Sequence, residues 1–200
     1  MARGLSRDVV LDAALRLIDE HGAAGLSMRK LGAELGVEAM TLYYYVPNKA
    51  ALLDGVVERI FGMVAAELPP ADVPWETYLR ELAGGLRRVL LGHPAAVALT
   101  ATRPVITPAG LAALETALEV LTGAGMPVTT ALHVFNTVST FVLGHVLNET
   151  GQQPVGDFPD LSAFPLISRA VAEGAGNGDD EARFDLAIDA LVRGFGGKVE

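Results

Sequence analysis

The segment from Ser27 to Lys49 constrains the fold of this chain most, because its turn signals divide it into two short, closely spaced helices. Ser27 is a strong N-cap for the first helix, Gly36 supplies the turn after it, and Pro47 stops the second. A tight turn between two short helices matches the helix-turn-helix plan, in which the second helix enters the DNA major groove. The segment therefore predicts a DNA-reading unit near the N-terminus.

Apolar residues in the rest of the chain recur at helical spacing, and no stretch of any length alternates as a strand does. We therefore predict an all-α fold. The predicted helices cover about 6–21, 27–35, 38–46, 48–67, 75–92, 94–102, 108–124, 128–149, 166–173 and 180–194, with loops at 151–165 and 174–178. Residues 1–50 form a three-helix domain in this prediction. Helix four (48–67) connects it to a larger helical domain, 51–200.

The composition is that of a folded protein with a sizeable core. Half of the residues are hydrophobic and 20% are charged, which argues against disorder. The absence of cysteine excludes a disulfide framework, a thiolate metal site and a thiol nucleophile. Residues 1–7 lack the apolar run of a signal peptide, so we expect a cytoplasmic protein.

Charge is distributed unevenly between the two predicted domains. The net charge is −9, yet residues 1–50 carry six basic and six acidic side chains and are neutral. The whole net negative charge therefore lies in residues 51–200. Such a chain can contact DNA through its N-terminal domain, whereas the acidic remainder is repelled by phosphate.

Residues 120–148 contain no Asp, Glu, Lys or Arg, and a segment of that length can cross a bilayer. Gly123, Gly125 and Pro127 break its start, polar residues are spread through the rest, and no basic flank supplies an orientation signal. We therefore interpret 128–149 as a helix that is buried on most sides within a soluble protein.

The run LGAELGVEAMTLYYYVPNKAALLDGV, residues 31–56, resembles the recognition segment of the TetR family of transcriptional regulators. The similarity continues beyond it, in the branch that contains the tetracycline repressors. The segments that carry it are 75–80, 90–94, 102–104 and 141–147. The resemblance implies a homodimeric repressor that binds a palindromic DNA operator and leaves it when a small molecule binds the C-terminal domain.

The chemistry of the helix-turn-helix side chains gives each a role on DNA. The Arg29 fork can bind guanine bidentately, Met40 can contact a thymine methyl group, and Tyr43 can donate to phosphate. The predicted DNA-binding residues are Ser27, Arg29, Lys30, Ala39, Met40, Thr41, Tyr43, Tyr44 and Lys49. For Tyr44 and its neighbour Tyr45, packing against helices one and four is an equal alternative, and Lys30 can be a solvated charge.

The resemblance also locates a metal site that this sequence lacks. Tetracycline-binding members hold magnesium with a histidine before the Thr-Arg-Pro motif and a glutamate in the long helix. Here the histidine position falls on Leu99 or Thr100, and the glutamate position on Asn148, beside Glu149. We therefore predict no metal or other cofactor, and a hydrophobic or amphipathic effector.

The predicted effector-binding residues are Phe61, Val64, Leu82, Leu86, Thr100, Arg103, His133, Phe135, Asn136, Ser139 and Thr140. The polar members need partners wherever they are buried. For Arg103, His133 and Asn136, a satisfied hydrogen bond in the core or an interface is the alternative. Arg103 can also cap a helix end.

The long apolar helix and the last helix predict the pairing surface, because two copies of each would form a four-helix interface. The predicted dimer-interface residues are Phe141, Gly144, His145, Phe184, Ile188 and Leu191. The small residues Gly144 and Ala190 would allow the helices to approach closely.

Two other functions remain open from sequence. An enzyme is disfavoured, because the chain shows no paired ligands at metal spacing, no nucleophile elbow and no phosphate loop. The second alternative is a DNA-binding dimer that is controlled by a protein partner or has no small effector. An internal cavity would argue against it.

Overall fold

The computed structural model describes residues 4–103, 107–151, 160–173 and 179–197, which form ten α-helices and no β-strand. The predicted all-α fold is confirmed. The helices are α1 (Arg7–Gly25), α2 (Met28–Glu34), α3 (Ala39–Leu42), α4 (Lys49–Glu67), α5 (Trp75–Gly92), α6 (Val97–Thr102), α7 (Pro108–Gly123), α8 (Val128–Gly151), α9 (Pro165–Ala172) and α10 (Asp180–Gly196). A 3-10 turn, Pro94–Ala96, leads into α6.

Two predicted helix ends differ from the structure by four residues. The first helix, α1, continues to Gly25 across a kink at Gly22, which has a non-helical φ of 71°, and α3 ends at Leu42 instead of continuing towards Pro47. The amides of Tyr45 and Val46 both donate to the Leu42 carbonyl, so the chain continues there as turns. The predicted loop 174–178 lies outside the described residues, as does 152–159 of the loop at 151–165.

Side-chain caps begin three of the first four helices, as the sequence predicts. Ser6, Ser27 and Asn48 each accept a hydrogen bond from the backbone amide three residues on, at 3.2, 3.2 and 2.9 Å. Such caps satisfy amides that have no partner within the helix. They hold α1, α2 and α4 at defined starting points around α3.

Glycine brings α2 and α3 close together. A Cβ atom on Gly32 would lie 2.7 Å from the Val37 carbonyl oxygen, so no other residue fits without a backbone shift. Gly36 makes the turn with a φ of 66°, in the left-handed region. Leu31 and Leu42 are fully buried between the two helices. We call residues 7–46 the reading head.

The reading head is attached to α4 by two ion pairs. Arg59 binds both carboxylate oxygens of Asp12, at 2.6 and 3.1 Å, and the hydrogen bond with this carboxylate raises the pKa of Arg59. Arg7 reaches Glu58 at 2.7 Å. Because α4 also belongs to the core of the larger domain, movement of α4 carries the head with it.

The long helix α8 is less buried than the sequence predicts. It is long and apolar enough to cross a membrane. Only 28% of its apolar stretch of 18 residues is buried in the protomer. The buried residues form one stripe at helical spacing: Ala131, Val134, Val138, Val142 and Val146. The prediction of burial on most sides is therefore wrong for the single chain, because the helix packs through one face and leaves apolar surface uncovered.

Candidate DNA-reading face and effector cavity

Large side chains that usually pack inside proteins are exposed on α3 and on the turn after it. Met40 of α3 and Tyr44 of the turn are 73% and 87% exposed, and Tyr43 is also exposed. Thr41 is exposed as well, and Ala39 is half-buried at the start of the helix. The exposed groups contribute little to the protomer's core. They are available to the edges of DNA bases and to sugars.

Arg29 and Lys30 add positive charge to the same unit from α2, where both are exposed. Neither side chain has a hydrogen-bond or ion-pair partner among the described residues. Ser27, at the start of this helix, is held as its N-cap by the Lys30 backbone amide. Two cations without an internal counter-charge are candidates for contact with phosphate.

The two tyrosines with open roles are placed differently. Tyr44 points outward, whereas Tyr45 is half-buried and packs against the core. Their rings meet edge to face, with centroids 5.2 Å apart. The packing alternative therefore describes Tyr45, and Tyr44 remains a candidate for DNA contact.

Lys49 has a role inside the protein that sequence reasoning missed. Its Nζ donates to the Leu26 carbonyl at 2.6 Å and so ties the start of α4 to the turn that precedes α2. An ammonium group has three donors, so a phosphate can still bind. The residues are 23 positions apart, and no local pattern predicts the contact.

A cavity of about 480 Å³ lies among α4, α5, α6, α7 and α8. Its lining residues are Phe61, Val64, Ala65, Leu68, Leu82, Leu86, Thr100, Arg103, Gly110, Ala113, Leu114, Phe135, Asn136, Ser139, Thr140 and Leu143. Ten of the eleven predicted effector-binding residues are among them. The prediction missed α7, which supplies Gly110, Ala113 and Leu114. These small and apolar residues carry no sequence signal that separates cavity wall from core.

His133 is the predicted residue that the cavity does not include. Its side chain is exposed on α8, in a shallower pocket of about 380 Å³ that it shares with Asn136, Thr137 and Thr140. The prediction assigned His133, Asn136, Ser139 and Thr140 of this helix to one cavity. The structure divides them between two sides, and Asn136 and Thr140 lie at the boundary.

Polar groups are few in the cavity wall, and they differ in whether their side chains form a hydrogen bond within the protein. Thr100 donates to the Val97 carbonyl at 2.7 Å, within its own helix. Asn136, Ser139 and Thr140 make no side-chain hydrogen bond to any described residue. Their spacing places the three on one side of α8, so they form a polar edge in an otherwise apolar wall.

Glu149, the acidic residue next to the expected metal-ligand position, is paired with an arginine. Glu149 accepts two hydrogen bonds from Arg87, at 3.1 and 2.8 Å, and His145 lies 3.7 Å away. Within the described part of the chain, no three His, Cys, Asp or Glu side chains lie together so that they could hold a metal ion. The residues present therefore do not fit a magnesium site of the tetracycline type.

The predicted pairing surface needs correction at Phe184 and Ile188. These α10 side chains are 5% and 4% exposed, because they pack inside the protomer and leave little area for a partner. The rings of Phe141, His145 and Phe184 form a cluster, with His145 at centroid distances of 5.6 Å from Phe141 and 5.3 Å from Phe184. Leu191 is half-buried.

One exposed stripe of α10 is uncharged and apolar. Leu186 is 68% exposed, and Ala190 and Gly194 follow at intervals of four residues, also exposed. On α8, Gly144 and Leu147 are exposed. Large exposed apolar side chains beside small ones are typical of a helix pair that packs against a second copy.

A helix-turn-helix head joined through one long helix to a cavity-bearing helical body defines a class: regulators of transcription that sense small molecules directly. Residues 10–56 match the model of the tetR family of bacterial regulatory proteins, and residues 68–198 match the tetracyclin repressor-like C-terminal domain. The chain belongs to the TetR family. It is therefore a DNA-binding regulator of transcription that responds to a ligand.

Individual relatives are similar over nearly the whole chain. The class D tetracycline repressor protein of Escherichia coli is 36% identical over 202 residues, with 98% of this chain and 90% of the relative covered. The structure of ActR from Streptomyces coelicolor with actinorhodin has a TM-score of 0.80 at 26% identity and covers 98% of this chain and 100% of its own. A variant of TetR from Acinetobacter baumannii AYE with minocycline has a TM-score of 0.78 at 28% identity and covers 98% and 99%.

Proposed function

We propose that this protein is a cytoplasmic repressor that occupies a palindromic operator as a homodimer. A largely apolar small molecule, bound without a metal ion, releases it. The observation that carries the proposal is the cavity of about 480 Å³ beside α4, since the same helix is attached to the reading head. A ligand in contact with Phe61 and Val64 of α4 can alter the position of the head.

The cavity wall supports the choice of effector. Most of its lining side chains are hydrocarbon, and burial of ligand surface against them supplies the main binding energy. The polar edge of Asn136, Ser139 and Thr140 would orient a ligand that carries oxygen on one side. The class D relative is a tetracycline repressor, and the two solved relatives hold minocycline and actinorhodin. We expect a different compound here, because Glu149 and Thr100 do not provide the metal ligands.

Dimerisation sets the symmetry and spacing of the operator half-sites. Two reading heads occupy half-sites about one helical turn apart, roughly 34–36 Å, so a palindromic operator follows from two-fold symmetry. The exposed ladder of Leu186, Ala190 and Gly194 on α10, together with Gly144 on α8, is the proposed pairing surface. A ligand that changes the separation of the heads weakens both half-site contacts at once.

The alternative of a regulator with no small effector predicts a solidly packed body. The cavity favours a small molecule instead. Catalysis has no support from the described residues, and the named relatives are regulators.

The test begins with selection of a binding site from random duplex DNA by the purified protein. A panel of tetracyclines and of apolar compounds is then titrated against the selected complex, with and without magnesium. We expect a palindromic site that an apolar compound releases in the absence of magnesium. Release by tetracycline only with magnesium would refute the effector class, and failure to select any site would refute the proposed function as a whole.

A further inference from the structure

Arg103 is the one charged side chain among the sixteen described residues that line the cavity. It lies at the C-terminal end of α6, and its side chain is only 26% exposed. The neighbouring residues that the structure does not describe, 104–106, are Pro, Val and Ile and carry no charge. A cation in a wall of this kind determines which ligand charge the cavity accepts.

One end of the Arg103 guanidinium is hydrogen-bonded within the protein. The Nη1 atom binds the carboxylate of Asp54 and the carbonyl oxygen of Ala50, both on α4. The Nε and Nη2 atoms have no partner among the described residues. Those two nitrogens form the parallel pair of donors that matches the two oxygens of a carboxylate.

The two members of the Arg103–Asp54 pair differ in their access to water. The Asp54 side chain is 61% exposed, so it loses little solvation energy if its partner turns away. Arg103 is the more buried member, and a counter-charge inside the cavity benefits it more. A ligand anion is therefore a favourable partner for Arg103 at small cost to Asp54.

We propose that the free edge of Arg103 is a carboxylate subsite of the effector cavity, so that the effector is an apolar molecule with one acidic group. This inference rests on the proposed function and specifies the chemistry of its ligand. A carboxylate on Nε and Nη2 places a second negative charge beside Asp54 and weakens the Arg103–Asp54 pair. Since Asp54 lies one turn along α4 from Lys49 and Ala50, the change acts on the helix that positions the reading head.

The test uses two fluorescent probes of the same shape, 1-pyrenebutyric acid and the neutral 1-pyrenebutanol. Their affinities for the full-length protein are measured at neutral pH without DNA, so the result does not depend on operator binding. We expect the acid to bind the natural protein about tenfold or more tightly than the alcohol, as for a charge-assisted pair. Arg103→Gln should reduce the ratio of acid to alcohol affinity to about one, and thermal unfolding shows that the variant is folded.

Two further variants sharpen the result. Asp54→Asn removes the competing carboxylate and should raise the affinity for the acid alone. Arg88→Gln is the matched control, since Arg88 pairs with Glu67 on the surface and does not line the cavity, and it should keep the natural preference. Equal binding of acid and alcohol, no binding of either probe, or an acid preference that survives Arg103→Gln would each overturn the proposal.

Discussion

The reading head and the cavity-bearing body are both helical, but they use their residues in opposite ways. In the head, Gly32 admits no side chain, Leu31 and Leu42 are fully buried, and the candidate DNA-contacting side chains lie on the surface. In the body, five helices surround a cavity of about 480 Å³, and the candidate effector-contacting side chains line it. The head is closely packed and presents an outer surface, whereas the body surrounds a cavity.

The difference explains how one chain can both hold DNA and respond to a ligand. A closely packed head has few alternative arrangements, so it transmits movement of α4 without absorbing it. A body with a cavity can exist with the space empty or filled, and a ligand shifts the population between the two states by its differential affinity. The following predictions test this division.

The largest expected effect is that of Gly32→Ala. The new Cβ would lie 2.7 Å from a backbone oxygen, so α2 and α3 must separate, and we expect a loss of about 1–3 kcal/mol in unfolding free energy together with loss of operator binding. Urea denaturation and DNA titration measure the two effects. The matched control is Gly84→Ala on α5, where nothing lies near the added atom and stability should rise. Equal stability of the two variants would show that the head is not tightly packed.

The next effect concerns the body. Leu86→Trp adds volume at the cavity wall and should abolish release by any compound that the natural protein recognises, while operator binding is retained. Leu111→Trp on α7 is the control, because Leu111 is exposed and does not line the cavity. Fluorescence anisotropy of a labelled operator measures both properties. Unchanged release by Leu86→Trp would place the effector elsewhere.

The third prediction concerns the outer surface of the head. Arg29→Ala should weaken operator binding by about 1–3 kcal/mol and relax the preference for one base pair, because it removes a bidentate contact. Tyr43→Phe should weaken binding less, by about 1 kcal/mol, since only a hydroxyl is lost. Sedimentation should show both variants with the natural oligomeric state. Our placement of the reading helices is wrong if both variants bind as tightly as the natural protein.

A smaller effect is expected for Lys49→Gln. If the ammonium binds phosphate in addition to the Leu26 carbonyl, affinity should fall alike for all DNA sequences. The slope of log affinity against log salt should also fall by about 0.9. Weaker binding with an unchanged slope would show that Lys49 only joins α4 to the head.

The smallest effect is expected inside the body, at Tyr78→Phe. Tyr78 is fully buried on α5, its hydroxyl has no hydrogen-bond partner in the described structure, and burial raises the pKa of its phenol. Removal of an unsatisfied hydroxyl should leave stability unchanged or raise it by up to about 1 kcal/mol, as measured by thermal unfolding. A clear loss of stability would reveal a partner for the hydroxyl, such as a buried water or a bound ligand.

The helix starts and the turn of the head were predictable from sequence because residues close by in the chain determine them. Ser27 and Asn48 cap helices within three residues of themselves, and Gly36 makes its turn alone. The contact between Lys49 and Leu26 was not predictable, since it depends on how α4 meets the head. Which side chains read DNA stays a prediction.

The body was harder for a different physical reason. α10 has apolar residues on two opposite faces, so periodicity alone does not say that Phe184 faces the core and Leu186 faces outward. The contribution of α7 to the cavity was missed for a similar reason, because small and apolar residues suit a packed core and a cavity wall equally. The α5 and α8 contributions were predicted, because Leu82, Leu86, Phe135, Asn136, Ser139 and Thr140 all line the cavity.

The central claim is that binding of a compound in the cavity and binding of the operator by the reading head weaken each other. With an operator and a releasing compound in hand, the affinity of the compound is measured by calorimetry for the free protein and for the protein saturated with operator. Thermodynamic linkage requires the operator to weaken compound binding by the same factor by which the compound weakens operator binding, and we predict that equality. An affinity for the compound that is identical with and without operator would contradict the coupling through α4.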